Sequence, residues 1–411
     1  MRMIRSLIWA LMPIICLVSN GLTQVAEEIA TEKPTTLGVN PKKLYAMSEW
    51  VKNDPTLPIF SILLSKNGKL VYELYTGTIT KDSSHYMMSV TKSILSLVTG
   101  CAVDAKIIRA DEPLAKTIPE KLLVETGVPK EKFNTLTLKE AMAMSAFECP
   151  HDPPGDFFTA PNRLKYVLAT KLVEKPGESF CYNNQTPILV TGSLSYLTGK
   201  TVYEIGREKI FTQMKFKNEE WMHQDKAGIE CGGWGFRMRP IDMQKVGIMV
   251  LNNGVWDETR ILSKEWIDLT ACPIVKSEPG LKENNYGWFW WTKRTTDGSS
   301  WQVANGRWGQ RIAISRKHHV VLSMTACFMN INEDRVFDDI LETYIIPALT
   351  HEKFNTDEST YNDRLVEINR AINQQWFRGP ANIEERMIPV EQRREIRHDF
   401  VDSYADVKQA K

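Results

Sequence analysis

Met88-Ser89-Val90-Thr91-Lys92-Ser93-Ile94-Leu95-Ser96-Leu97-Val98 carries a serine, a lysine three positions later and a mainly apolar run beyond them. The composition is helical, and the pattern starts at the serine. Positions i and i+3 share a helix face, so the Ser89 hydroxyl and the Lys92 amine can touch. A serine hydroxyl is a weak nucleophile at neutral pH and needs a base. A lysine can act as that base when burial or a neighbouring cation lowers its pKa. A helix N-terminus under Ser89 would also aim backbone N–H groups at developing negative charge. The bland alternative for S-x-x-K is an ordinary helix start.

Working outward, Ile59–Ser65 and Leu70–Tyr75 are rich in β-formers and flank Asn67-Gly68, which predicts a hairpin just before the serine. Leu44–Val51 reads as a helix ahead of it. From Leu114 to Phe216 the patterns are mostly helical, broken by turns such as Pro153-Pro154-Gly155 and Lys175-Pro176-Gly177. Pro240–Asn252 reads as another helix, closed by Asn252-Asn253-Gly254. Strand character returns at Tyr286–Thr292, Trp301–Ala304, Arg311–Ser315 and Val320–Ala326, and Asp334–Leu349 reads as a closing helix. Strands, helices, strands and a last helix predict an α+β fold. An antiparallel sheet is flanked by helices, with an all-helical subdomain inserted in its middle.

A second chemical feature is Tyr182-Asn183-Asn184, directly after the Pro-Gly turn. A loop tyrosine near an ammonium loses its proton more easily and can relay protons to a leaving group. The Asn184 amide can donate to a substrate carbonyl. A surface turn with a buried tyrosine would look the same. Asn184-Gln185-Thr186 also fits a glycosylation sequon, but a glycan there would block the site. A third feature is Gly232-Gly233-Trp234-Gly235-Phe236, a Gly-rich turn leading through Arg239-Pro240 into a helix.

S-x-x-K combined with S-D-N and K-T-G marks class A β-lactamases. Here Y-x-N stands where S-D-N would. Taken in order, the features resemble the serine β-lactamase and penicillin-binding-protein family from about Leu44 to Leu349. They are most similar to its class C enzymes, the neighbouring DD-peptidases and the related esterases. In place of K-T-G stands Ala304-Asn305-Gly306-Arg307-Trp308-Gly309-Gln310-Arg311. This looks like the G-x-x-G-Q version of the branch containing 6-aminohexanoate-dimer hydrolase and similar esterases. The resemblance implies that Arg307 replaces the cation and that Gly309 lets substrate approach the strand. It also implies that the backbone N–H of Gln310 joins that of Ser89 as an oxyanion hole. Trp308 in place of threonine argues against holding a β-lactam carboxylate. Ser89, Lys92 and Tyr182 are then the catalytic set, with Asn184 and 307–310 on the substrate. The expected reaction is acyl transfer through Ser89 on a small ester or linear amide, without metal or organic cofactor. Alternatives are a DD-peptidase or weak β-lactamase, and, in another class, a non-catalytic binding protein on this fold.

Other features exclude more than they suggest. The 51 Lys and Arg balance 50 Asp and Glu, leaving +1, so no global field steers the chain to nucleic acid. Neither H-E-x-x-H nor G-x-S-x-G occurs, which removes a zinc hydrolase and a nucleophile elbow. His318-His319 reads as a solvated turn, and His151 as a loop histidine. Arg2 and Arg5 followed by apolar Leu7–Val18 read as an export signal over 1–25, with a membrane tether as the result if it stays uncleaved. The expected location is periplasmic or secreted. Residues 26–40 then form a linker, 41–352 the hydrolase domain and 353–411 a loosely packed charged extension. Six cysteines follow the signal (Cys101, Cys149, Cys181, Cys231, Cys272, Cys327), and export permits but does not require disulfides among them.

Overall fold

The computed structural model describes residues 28–54, 56–77, 79–148, 156–222, 224–276, 285–329, 331–349 and 359–374. The proposed signal, Cys149 and His151 lie outside them. Eight antiparallel strands form the central sheet, in the order Lys69–Tyr75, Ile59–Lys66, Val320–Ala326, Gln310–Ser315, Ser300–Gly306, Trp290–Arg294, Asn285–Gly287 and Val275–Lys276. The first hairpin turns at Asn67 and Gly68, both at positive φ, as the Asn-Gly pair predicts.

Both faces of this sheet are covered, and alternate residues of each strand serve the two sides. Leu63, Ile312, Ile314 and Val321 pack into the core shared with the Val90–Asp104 helix and the helical subdomain. Ile62, Leu64, Ala313, Val320 and Leu322 pack into a second core with the Pro41–Asn53 helix and the closing helix. The subdomain occupies the chain between Leu114 and Phe216, and its longest helix is Gln185–Thr198. Among the described residues, no helix is long and apolar enough to cross a membrane.

Four local expectations need correction. The 26–40 segment is not a free linker where it is described. Ala30 and Glu32 exchange backbone hydrogen bonds with Leu70 on the edge strand, and Val39 is fully buried. Pairing there satisfies edge N–H and C=O groups that would otherwise be exposed. In the extension, Tyr361–Gln374 is a packed helix. Its Leu365, Ile368 and Ile372 join the second core, and Asn369 reaches Ser48 Oγ at 2.6 Å. Tyr286–Thr292 is not one strand. Trp288 and Phe289 both adopt positive φ and make a two-residue turn, closed by Gly287 pairing with Trp290. His318 is not solvated. It is buried, with Nε2 2.7 Å from Asp297 Oδ2.

Candidate active site

Ser89 caps the N-terminus of the Val90–Asp104 helix, at the junction of sheet and helical subdomain. Met88 before it stands at φ 47°, a left-handed conformation that a side chain of this size rarely adopts. The bend lets Thr91 N–H donate to Met88 O and Lys92 N–H to Ser89 O, so the first turn winds tightly. The Ser89 side chain makes no cap hydrogen bond of its own and is partly exposed.

Lys92 faces it from one turn on, and the side chain is 1 % exposed. Its Nζ lies 3.1 Å from Ser89 Oγ, 2.8 Å from Asn184 Oδ1 and 2.7 Å from the Gly233 carbonyl oxygen. Two of these partners can only accept, whereas a hydroxyl donates as readily as it accepts. A neutral amine has two N–H bonds and one lone pair. It satisfies both carbonyl-type oxygens and keeps the lone pair for the Ser89 proton. Burial favours that neutral form and pulls the Lys92 pKa down to about 7.

Tyr182 brings its ring under the same amine, 4.9 Å from Nζ to the ring centroid. It packs edge-on against Tyr286 and tilted against Trp291, with centroids at 6.0 Å and 5.5 Å. Asn183 fixes this loop. It donates to Cys181 O and accepts from Thr186 N–H at 2.8 Å, which ties Tyr182 and Asn184 to the start of the Gln185–Thr198 helix. A glycan on Asn184 would have to displace its contact with Lys92. Gly233 comes from the Gly-rich turn. Sequence reasoning noticed that turn but gave Gly233 no task, although the Gly-Gly pair was the available signal. A Cβ there would stand 2.9 Å from Asn184 Oδ1 and 3.5 Å from Lys92 Nζ.

The strand beside the serine departs from the expected register. Gly306, which ends Ser300–Gly306, is the residue pressed against the turn that carries Ser89. A Cβ on it would collide with the Met87 carbonyl and come within 3.2 Å of Val90 Cγ2. Arg307, Trp308 and Gly309 form the turn beyond it, with Trp308 at φ 66° and Gly309 at φ 95°. Gly309 does not open the strand to substrate; its missing Cβ makes room for Phe328, whose Cδ2 would be 2.6 Å away. Gln310 opens the next strand, and its side-chain amide donates to Ala326 O at 2.7 Å. The residues preceding the close-approach glycine are therefore Ala304 and Asn305, not Arg307 and Trp308. Two glycines three apart in the sequence made the wrong one look equivalent.

Among the described cysteines, Cys181 is disulfide-bonded, and Cys101, Cys231, Cys272 and Cys327 form no disulfide. Among the described residues, no group of His, Cys, Asp and Glu could hold a metal ion.

Comparison with known proteins identifies the family and the fold. The Beta-lactamase family model matches residues 47–345. The 6-aminohexanoate-dimer hydrolase of Paenarthrobacter ureafaciens is 21% identical over 218 residues, which are 51% of this chain and 56% of that protein. The match thus spans just over half the length of this relative. A 6-aminohexanoate-dimer hydrolase candidate from Bacillus anthracis shares the fold at TM-score 0.63 and 21% identity, covering 79% of this chain and 88% of that one. A beta-lactamase candidate from Bacteroides dorei DSM 17855 superposes at TM-score 0.65 and 18% identity, over 76% of this chain and 100% of its own. The family match covers most of the folded chain and includes the serine, lysine, tyrosine and glycine-turn elements of the site, so this chain belongs to the beta-lactamase family.

Proposed function

We propose that the chain is a serine hydrolase that cleaves a small neutral ester or linear amide through an acyl-enzyme on Ser89. One observation carries this. A buried amine held by two obligate acceptors directs its remaining valence at the Ser89 hydroxyl, 3.1 Å away. Ser89 Oγ bonds to the substrate carbonyl carbon while its proton passes to Lys92. The carbonyl π pair moves onto oxygen, where backbone N–H groups of Ser89 and of the Gly306–Arg307 peptide receive it. Collapse breaks the bond to the leaving group, which takes a proton along the Lys92–Tyr182 path. Water then attacks the acyl carbon and gives a proton to the same base; the acyl–Oγ bond breaks, Lys92 returns that proton to Ser89 Oγ, and the acid leaves. No metal or organic cofactor enters these steps.

Substrate preference is read from the strand before Gly306. Ala304 is fully buried and Asn305 is uncharged, so neither offers a cation to a substrate carboxylate. An unmet polar group in a closed site costs about 1–3 kcal/mol, roughly ten- to a hundredfold in rate. Short-chain aryl esters should therefore be cleaved at least about tenfold faster than penicillins or cephalosporins, compared as kcat/KM. A screen of esters, short amides and β-lactams with the purified protein tests this. A cephalosporin turned over faster than any ester would overturn the preference. A fluorophosphonate should label Ser89, as located by mass spectrometry, and Ser89→Ala should abolish the label. Labelling elsewhere, or none, would remove the acyl-enzyme reading. The proposed setting is outside the cytoplasm, after export through the Leu7–Val18 signal.

A further inference from the structure

Behind the Gly306–Gln310 turn sits a buried cation. Arg311, 1 % exposed, curls back along its own hairpin. Its Nη1 donates to Gly306 O at 2.6 Å and to Gln310 O at 3.0 Å. Its Nη2 donates to Asp334 Oδ1 at 3.0 Å and lies 3.7 Å from Glu333 Oε2. The guanidinium carbon stands 5.5 Å from the centroid of the Phe337 ring. Glu333 also accepts from Gly309 N–H at 2.6 Å, so the helix beginning at Glu333 holds the turn at two points. Burying a guanidinium is expensive, and an apolar side chain of similar volume often gives equal or better stability. The fold alone therefore does not account for this cluster, but its place one peptide from the nucleophile's turn does.

We propose that Arg311, seated by Glu333 and Asp334, is a positioning residue that aims the Gly306–Arg307 peptide at the oxyanion. The peptide unit is planar and trans, so the Gly306 C=O and the Arg307 N–H point in opposite directions. Clamping the carbonyl on a fixed guanidinium therefore fixes the direction of the N–H. A charged donor on the carbonyl also polarises the unit and strengthens the N–H as a donor. The same guanidinium holds Gln310 O, which sets the far end of the turn. Arg311 touches no substrate and acts only through the backbone it holds. This inference rests on the acyl-enzyme reading of Ser89.

The test uses the full-length enzyme with an aryl ester as substrate and phenylboronic acid as a tetrahedral mimic. Arg311→Met should lower kcat per folded molecule about 30-fold, short of the hundredfold or more typical of deleting an oxyanion donor. The boronate inhibition constant should rise in parallel while KM changes less than about twofold. Arg311→Lys should fall between Met and wild type. Glu333→Gln keeps the shape of its site and should cost about fivefold in kcat, again matched by the boronate, so it decides the matter if Arg311→Met does not fold. A kcat per folded molecule held within about twofold in the folded variants would overturn the proposal. So would a kcat loss with unchanged boronate affinity. Wild-type enzyme with no phosphonate adduct on Ser89 would instead overturn the parent reading.

Discussion

At Lys92 the decisive quantity is the fraction of amine that is neutral. Its pKa is depressed to about 7 by burial, so the neutral amine is present above that pH and lost below it. The acid limb of kcat/KM should bend near pH 7 and then fall about tenfold per pH unit, which a pH–rate profile on a neutral ester measures. Lys92→Ala should slow acylation more than about a hundredfold, the usual scale for losing a general base. Arg should not restore it, since a guanidinium stays charged. Gly233→Ala tests the neighbouring contact. Its Cβ would press on Asn184 Oδ1 and push it off Lys92, so kcat should drop roughly tenfold or more, with a smaller change in Tm. The Ser89–Lys92 pair was legible in the sequence because helix geometry is local. The Gly233 carbonyl was not, because it meets Lys92 across 141 positions of chain. The Gly306 contact hid for a related reason, since only the register of the hairpin tells it from Gly309.

Strands and helices were read correctly where period and turn chemistry agreed, as at Asn67-Gly68. They were misread at Trp288-Phe289, where a two-residue turn has neither Gly nor Asn. Left-handed backbone at two aromatic residues is unfavourable in isolation. Burial overrides it, since Trp288 is 3 % and Phe289 1 % exposed. The turn is also pinned by Phe289 N–H to Met142 O and by Ser93 Oγ to Phe289 O at 2.7 Å. Ser93 belongs to the Val90–Asp104 helix that Ser89 begins, so this turn braces that helix from the sheet side. Phe289→Ala should cost about 3–5 kcal/mol of stability, the range for emptying a buried aromatic site. Denaturant unfolding would measure it, and a loss below 1 kcal/mol would show that relief of the strained turn matters more than packing. His318 was misread similarly. Its surroundings in sequence are polar, but Asp297 and Trp301 arrive from another hairpin.

On the scale of the molecule, the sheet separates two cores, and the helix carrying the Ser89–Lys92 pair packs into only one. The family and the α+β layout were legible because they follow from ordered motifs and the succession of elements. The packing of Tyr361–Gln374 was not, because a charged helix with three buried apolar positions resembles a solvated one. Ile368→Ala in that helix should cost about 2–5 kcal/mol, the range for large-to-small changes in a core. It should leave kcat per folded molecule unchanged, as thermal unfolding and steady-state rates would show; a matching fall in kcat would mean that the two cores are coupled. The same layout bears on how the protein could be handled. The Tyr361–Gln374 helix lies on the Pro41–Asn53 helix and the Lys69–Tyr75 edge strand, across the sheet from Ser89. A bead, an electrode or a fused carrier grafted onto that helix would therefore hold the molecule by the face opposite Ser89.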